Sequence, residues 1–300
     1  MSMRLVELGG SLQATYEVTG DGRVALMFPG GPGLAGAYMQ GDATLFADVL
    51  RSHLIDPHGS GGSTPPEDHA EYSPEGHARF YEEARSALGL GPVVVFGHSF
   101  GATTALTYSA MYPESVQACI AVAPFGVGTE QDRDEGGTAE AEMEAMLARH
   151  EGADWYADAK AIWDGWTERV LATDDPGEVQ SMLAAVLPLY TAHPERPEVQ
   201  AALKEFSTQL QADLVACKVW EGGLFQQIDL RPILGRVRAP VLVVAGELDL
   251  ICGLAQARPI AEALPNSTLA LIPDCGHMPS MESPELFRST VVDWLGAHPA

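Results

Sequence analysis

The sequence predicts an α/β fold: a mostly parallel central sheet flanked by helices, with a helical segment inserted late in the chain. Three observations lead there. Short apolar runs rich in Val and Ile alternate with helix-like stretches. Each run is bounded by Gly, Pro, Asp or Ser and is apolar on both faces, as strands buried between helices must be. One long segment interrupts the alternation and holds no strand-like run.

In chain order, Val24 to Phe28 reads as a strand that ends on the turn Pro29-Gly30-Gly31-Pro32-Gly33. His53 to Ile55 is a shorter strand, followed by the loop Asp56-Pro57-His58-Gly59-Ser60-Gly61-Gly62-Ser63. Pro74 to Leu88 reads as a helix, Val93 to Phe96 as a strand, Thr103 to Met111 as a helix and Cys119 to Val122 as a strand. From about Gly126 to about Leu234 the pattern is helical, with Trp155, Trp163, Trp166, Tyr190, Phe206 and Trp220 spread along it. Val241 to Val244 and Leu269 to Ile272 complete the sheet. The expected organisation is a core formed by residues 1–125 and 235–300, with a helical cap over 126–234.

A chain of 300 residues, 46% of them hydrophobic, can bury a large core without disulfide staples. Cys119, Cys217, Cys252 and Cys275 lie far apart and form no metal-ligand spacing, so free thiols in a reducing compartment are expected. Lys and Arg number 17 against 41 Asp and Glu, a formal charge of −24. That balance argues against nucleic acid and against an anionic membrane surface. Met1 to Glu7 shows no secretory pattern, and no apolar run is long enough to span a bilayer. The cytoplasm is the expected setting.

The sharpest chemical signal is Gly97-His98-Ser99-Phe100-Gly101, a G-x-S-x-G motif with a strand before it and a helix after it. A serine on so tight a strand-to-helix turn needs small neighbours, and the turn projects its hydroxyl out of the sheet beside a helix N-terminus. Ser99 is the expected nucleophile. Acyl transfer also needs two N–H donors aimed at the developing oxyanion. The backbone of Phe100 is expected to supply one. The glycine loop after the first strand is expected to supply the other, from Gly31 or, as second choice, Gly30. Late in the chain Gly246-Glu247-Leu248-Asp249 and Gly276-His277 each follow a strand, which puts an acid and a histidine on the sheet edge that carries Ser99. His277 is the expected general base and Asp249 its orienting acid, with Glu247 as the rival.

These residues together resemble the prolyl iminopeptidase branch of the α/β-hydrolases. Its His-Gly-Gly-Pro-Gly loop is matched by Pro29 to Gly33 except at the first residue. Its Asp-x-Arg-Gly-x-Gly-x-Ser loop is similar to Asp56 to Ser63, with His58 in place of arginine. Its Gly-x-Ser-x-Gly elbow, Gly-x-x-Asp and Gly-His segments are similar to Gly97–Gly101, Gly246–Asp249 and Gly276–His277. The resemblance implies the α/β-hydrolase fold and a Ser-Asp-His serine hydrolase. It also implies cap carboxylates that hold a substrate's free amino group. Trp220-Glu221 lies in the corresponding region, which makes Glu221 and Trp220 candidate substrate contacts; His58 is either a third contact lining the pocket or part of a purely structural loop. Glu130, Asp132, Asp134, Glu135, Glu140, Glu142 and Glu144 read as either a solvated acidic face or an amine-binding cluster.

The expected reaction is two-step acyl transfer: Ser99 attacks a carbonyl, and water activated by His277 releases the acid. It calls for no metal or organic cofactor. The expected substrate is a small molecule or short peptide bearing an ester or amide with an apolar part. Proline-directed aminopeptidase action is the most specific form. A carboxylesterase, thioesterase or carbon–carbon hydrolase is the near alternative. A non-hydrolytic isomerase, lyase or ligand-binding protein on the same fold is the more distant one.

Overall fold

A computed structural model describes residues 3–127, 143–144 and 146–299. Among them the expected apolar runs become six parallel strands: β3 (Arg23–Phe28), β4 (Leu50–Ile55), β5 (Val93–His98), β6 (Val116–Val122), β7 (Val241–Gly246) and β8 (Ser267–Ile272). Two more strands, β1 (Arg4–Glu7) and β2 (Gln13–Thr19), precede them and pair antiparallel. The sequence reading missed both. β1 is largely exposed, and β2 mixes half-buried and buried residues rather than forming a continuous apolar run. The sheet order is β1-β2-β4-β3-β5-β6-β7-β8.

That order fixes where a ligand can sit. From β3 the chain moves outward to β4, whereas from β5 it moves the other way through β6, β7 and β8. The order reverses between neighbouring β3 and β5, and the connections from their C-terminal ends diverge there to leave a crevice. The glycine loop leaves β3 and Ser99 leaves β5, so both flank this point. Asp249 and His277 follow β7 and β8 on the same edge.

Helices α1 (Gln40–Leu45), α2 (Pro74–Ala87) and α3 (Phe100–Met111) belong to the first half of the core. The start of α2 is set by Ser73, whose hydroxyl accepts the Gly76 N–H at 3.2 Å, and by Pro74 in its first turn. Helix α3 is buried from Phe100 to Ala110, which small residues permit. Between β6 and β7 the described elements are helical and include α4 (Tyr156–Asp164), α5 (Trp166–Ala172), α6 (Pro176–Val186), α7 (Pro197–Gln209) and α8 (Leu214–Val219). A π-helical turn, Trp220–Leu224, extends α8. Helices α9 (Gly253–Ala263), α10 (Pro279–Glu282) and α11 (Pro284–Ala297) complete the chain.

Among the described residues, backbone hydrogen bonds tie the inserted segment to the loops of the sheet edge on both sides of the cavity. Leu34 and Ala212 form an antiparallel bridge, with Asp213 N–H donating to Gly33 O at 2.8 Å and Ala35 N–H to Gln211 O at 3.2 Å. On the other side, His277 N–H donates to Tyr190 O at 2.8 Å. No helix among the described residues is long and apolar enough to cross a membrane. The four cysteines are buried, and none forms a disulfide.

Burial in α2 has a pH consequence. The His77 imidazole is desolvated, which lowers its pKa from 6.5 to about 3. Between those two values the unfolded chain binds a proton that the native state refuses, so stability rises with pH and is lost as pH falls. Urea denaturation should show the unfolding free energy declining as pH drops from about 6.5 to about 4.5, and His77→Gln should make that decline shallower.

Candidate active site

Ser99 sits at φ 56° and ψ −123°, a left-handed conformation rare for a residue with a side chain. Its N–H donates to Val122 O at 2.8 Å, which pins the turn to β6. The flanking glycines are there for contact. A Cβ on Gly97 would lie 2.1 Å from Gly101 O, and one on Gly101 would lie 2.0 Å from Phe28 O. The turn therefore closes backbone against backbone, with α3 starting directly against the end of β3. The helix N-terminus at Phe100 leaves unpaired N–H groups beside the serine.

Asp249 and His277 form a buried pair, with Nδ1 of His277 2.9 Å from a carboxylate oxygen of Asp249. The other Asp249 oxygen accepts the N–H groups of Ile251 at 2.8 Å and Cys252 at 3.1 Å. Burial pushes the Asp249 pKa up, but the charge and hydrogen bond of His277 and the two backbone donors outweigh it and hold the carboxyl below its usual range. A carboxylate at Nδ1 puts the ring proton there, leaving Nε2 as an acceptor. Nε2 is buried and makes no hydrogen bond to another described residue. The loops meet closely here too: a Cβ on Gly246 would lie 2.0 Å from Gly276 O. Glu247, the rival acid, instead accepts the Asp274 N–H at 3.1 Å.

Ser99, Asp249 and His277 all line one cavity of about 760 Å³. So do Phe100 and Gly31, whereas Gly30 turns towards Tyr38, whose hydroxyl would lie 2.5 Å from a Cβ placed there. The loop glycine facing the cavity is thus Gly31, held at φ 59°. Most of the wall is apolar: Leu34, Phe125, Leu183, Leu187, Phe206, Leu210 and Trp220 come from both the sheet edge and the inserted segment. Trp220 packs edge-on against Phe100 at a ring separation of 4.9 Å. Glu221 lines the wall, and its two oxygens accept Trp166 Nε1–H at 2.8 Å and Thr167 O–H at 2.6 Å. Among the described lining residues the carboxylates Glu221, Glu247 and Asp249 are present and Lys and Arg are absent.

His58 does not join them, which corrects its candidacy as a substrate contact. Its ring packs on Phe80 at 4.1 Å, away from the cavity wall. The loop around it is organised by Asp56, whose oxygens accept Gly36 N–H at 2.8 Å and Thr15 O–H at 2.5 Å. Of the acidic run, Glu144 is exposed near Lys160 Nζ at 3.7 Å, while Glu130, Asp132, Asp134, Glu135, Glu140 and Glu142 lie outside the described residues.

From its place within the elbow, the sequence gives His98 no more than packing or local hydrogen bonding. Its Nε2 donates to His277 O at 2.8 Å, so Nδ1 must accept the Tyr38 hydroxyl at 2.6 Å. Burial, with His277 nearby, drops the His98 pKa to about 3 and keeps this ring neutral. No local signal marked the link, because its partners are 60 and 179 residues away.

Comparison with known proteins places this geometry. A family model described as alpha/beta hydrolase fold matches residues 25–284. The chain is 26% identical over 286 residues to a probable proline iminopeptidase of Leptolyngbya boryana, covering 87% of this chain and 84% of that one. It is 24% identical to a 2-hydroxy-6-oxo-6-(2'-aminophenyl)hexa-2,4-dienoic acid hydrolase of Metapseudomonas resinovorans, covering 97% and 90%. Among solved structures it is similar to an esterase from Exiguobacterium antarcticum, with a TM-score of 0.74, 21% identity and coverage of 98% of this chain and 100% of that one.

The elbow contacts make a direct prediction. Gly101→Ala should overpack the turn and lower stability by about 3 kcal/mol or prevent folding, as read by urea denaturation. The two acids should separate as well. Asp249→Asn should lower turnover by roughly four powers of ten by fixing the wrong tautomer, and Glu247→Gln should leave turnover within about threefold.

Proposed function

This chain belongs to the α/β-hydrolase fold family and is a hydrolase, and from its site geometry we propose that it is a serine hydrolase of small, uncharged esters or amides. One observation carries the reading. Ser99, strained outward at the switch point, opens on the same cavity as an imidazole whose Nδ1 is held by Asp249 and whose Nε2 makes no hydrogen bond to another described residue. Such an Nε2 is ready to take a hydroxyl proton. Ser99 attacks the substrate carbonyl, the N–H groups of Phe100 and Gly31 receive the oxyanion, and His277 returns the proton to the leaving group. Water activated by His277 then releases the acid, and the roles run in reverse. The reaction calls on no metal or organic cofactor.

The inserted segment, residues 126–234, acts as a cap whose apolar side chains receive the acyl part. Against a wall with carboxylates and no described cation, an anionic substrate meets like charge. This favours neutral substrates over carboxylate-bearing ones. Likeness to a probable proline iminopeptidase supports an aminopeptidase form acting on short peptides, with Glu221 and Trp220 on the cavity wall as its contacts. Glu221 is already engaged by Trp166 and Thr167, which favours the ester or simple amide form. Four cysteines without a disulfide support a setting in the cytoplasm.

A fluorophosphonate probe should label wild-type protein at Ser99 and fail on Ser99→Ala; labelling elsewhere, or none in folded wild type, defeats the assignment. Ser99→Ala and His277→Ala should each reduce turnover by several powers of ten, and the double variant should be little worse, because the residues act as a unit. In a panel of nitrophenyl esters and aminoacyl amides, a neutral acyl group should exceed its carboxylate-bearing analogue by at least about tenfold in kcat/KM. Equal rates would remove the charge argument.

A further inference from the structure

The loop that carries His277 owes its position to a residue outside the reacting set. Three successive N–H groups, those of Gly276, His277 and Met278, point away from the strand β8 that precedes them and need acceptors. His277 N–H finds Tyr190 O at 2.8 Å. The other two go to one side chain: Glu282 accepts Gly276 N–H at 3.0 Å on Oε2 and Met278 N–H at 3.1 Å on Oε1. Oε2 also accepts the Ala192 N–H, at 2.7 Å, from the inserted segment. Glu282 is buried, with 9% of its surface exposed. Burial raises its pKa against the pull of these three donors.

We propose that Glu282 is a positioning residue that fixes the His277 loop and seats the Tyr190–Ala192 stretch of the cap against it, so that the cap cannot shift without moving the base. The inference rests on the reading of His277 as general base. Its physical content is a count of donors and acceptors. One carboxylate serves three N–H groups drawn from both sides of the seam, and with the Tyr190 carbonyl it makes a closed set of four bonds. A glutamine here keeps the size but turns one oxygen into an N–H₂ group. Either choice of amide orientation then sets a donor against at least one backbone donor, and a buried donor facing a donor cannot be satisfied. The Gly276 position is equally tight: a Cβ there would lie 2.7 Å from Ala192 N and 3.0 Å from Glu282 Oε1. The seam has no slack to absorb the change.

The imidazole of His277 is then free to tilt about a loosened backbone, while the cavity wall outside the Tyr190–Ala192 stretch and the His277 loop stays in place. That separates a positioning role from a general loss of structure, and the full-length protein can be tested for it with a fluorophosphonate probe. In Glu282→Gln, with far-ultraviolet circular dichroism unchanged, the maximal phosphonylation rate should fall by at least about tenfold, towards a hundredfold, while the half-saturating probe concentration stays within about twofold. In parallel, the downfield proton resonance of His277 Nδ1–H, present in wild type, should shift or broaden. A variant labelled at the wild-type rate with that resonance unmoved overturns the proposal. Should Glu282→Gln not fold, Glu282→Asp is judged by the same two readings, and native amide exchange in wild type gives a third. Ala192, Gly276 and Met278 should exchange as one protected set, and rapid exchange of Ala192 alone refutes the coupling. A wild type showing neither labelling nor the resonance instead defeats the base assignment itself, and the proposal with it.

Discussion

The site depends on a single steric constraint: at the edge of the sheet, backbone must touch backbone. Ser99 can take its left-handed turn only because Gly97 lies on the carbonyl of Gly101 and Gly101 lies on the carbonyl of Phe28. The same kind of contact, Gly246 on Gly276, draws the Asp249 and His277 loops together. These approaches set the spacing between β3, β5, β7 and β8 where they release their loops. Side chains with chemistry stand on a frame of carbonyl oxygens and missing β-carbons. The strain at Ser99 is thus stored in a place too tightly packed to relax.

Above that frame, the inserted helices do more than roof the cavity. They are stitched to the glycine loop through Leu34–Ala212 and Gly33–Asp213, and to the His277 loop through Tyr190 and Glu282. Each seam lies beside a loop expected to handle charge: the oxyanion donors on one side, the base on the other. Under the proposed mechanism, the seating of the inserted helices and the geometry of the site share the same hydrogen bonds. A third thread runs beneath them, from the Tyr38 hydroxyl through the neutral ring of His98 to the carbonyl of His277.

Much of this was legible in the sequence, and the pattern of what was legible has a cause. Buried parallel strands are written as uninterrupted apolar runs, so β3 and β5 to β7 stood out, while Arg51 shortened the apparent extent of β4; the edge strand β8 stood out for its apolar run although only Ile272 of it is buried. The antiparallel β1 and β2 were hidden because a strand with one wet face looks locally like any polar segment. Ser99, Asp249 and His277 were singled out by strand-to-turn punctuation, and the structure sets all three on one cavity with Asp249 rather than Glu247 at the imidazole. His58 looked like a candidate from its loop but packs against Phe80, since the loop's shape is dictated by Asp56. Glu282 left no trace. A carboxylate between Met281 and Ser283 at a helix end resembles ordinary surface polarity until the fold supplies Ala192 from 90 residues away.

The carboxylates set in the apolar wall of the cavity bear on how a catalytic cycle would finish under the proposed mechanism. Under the proposed mechanism, each turnover converts a neutral guest into a carboxylic acid that ionises inside the chamber. Glu221, Glu247 and Asp249 offer the newborn anion no counter-ion, and the surrounding Leu, Phe and Trp surfaces solvate it poorly. Under that mechanism, clearance of the acid half of the product draws on the same electrostatics that screens the guest.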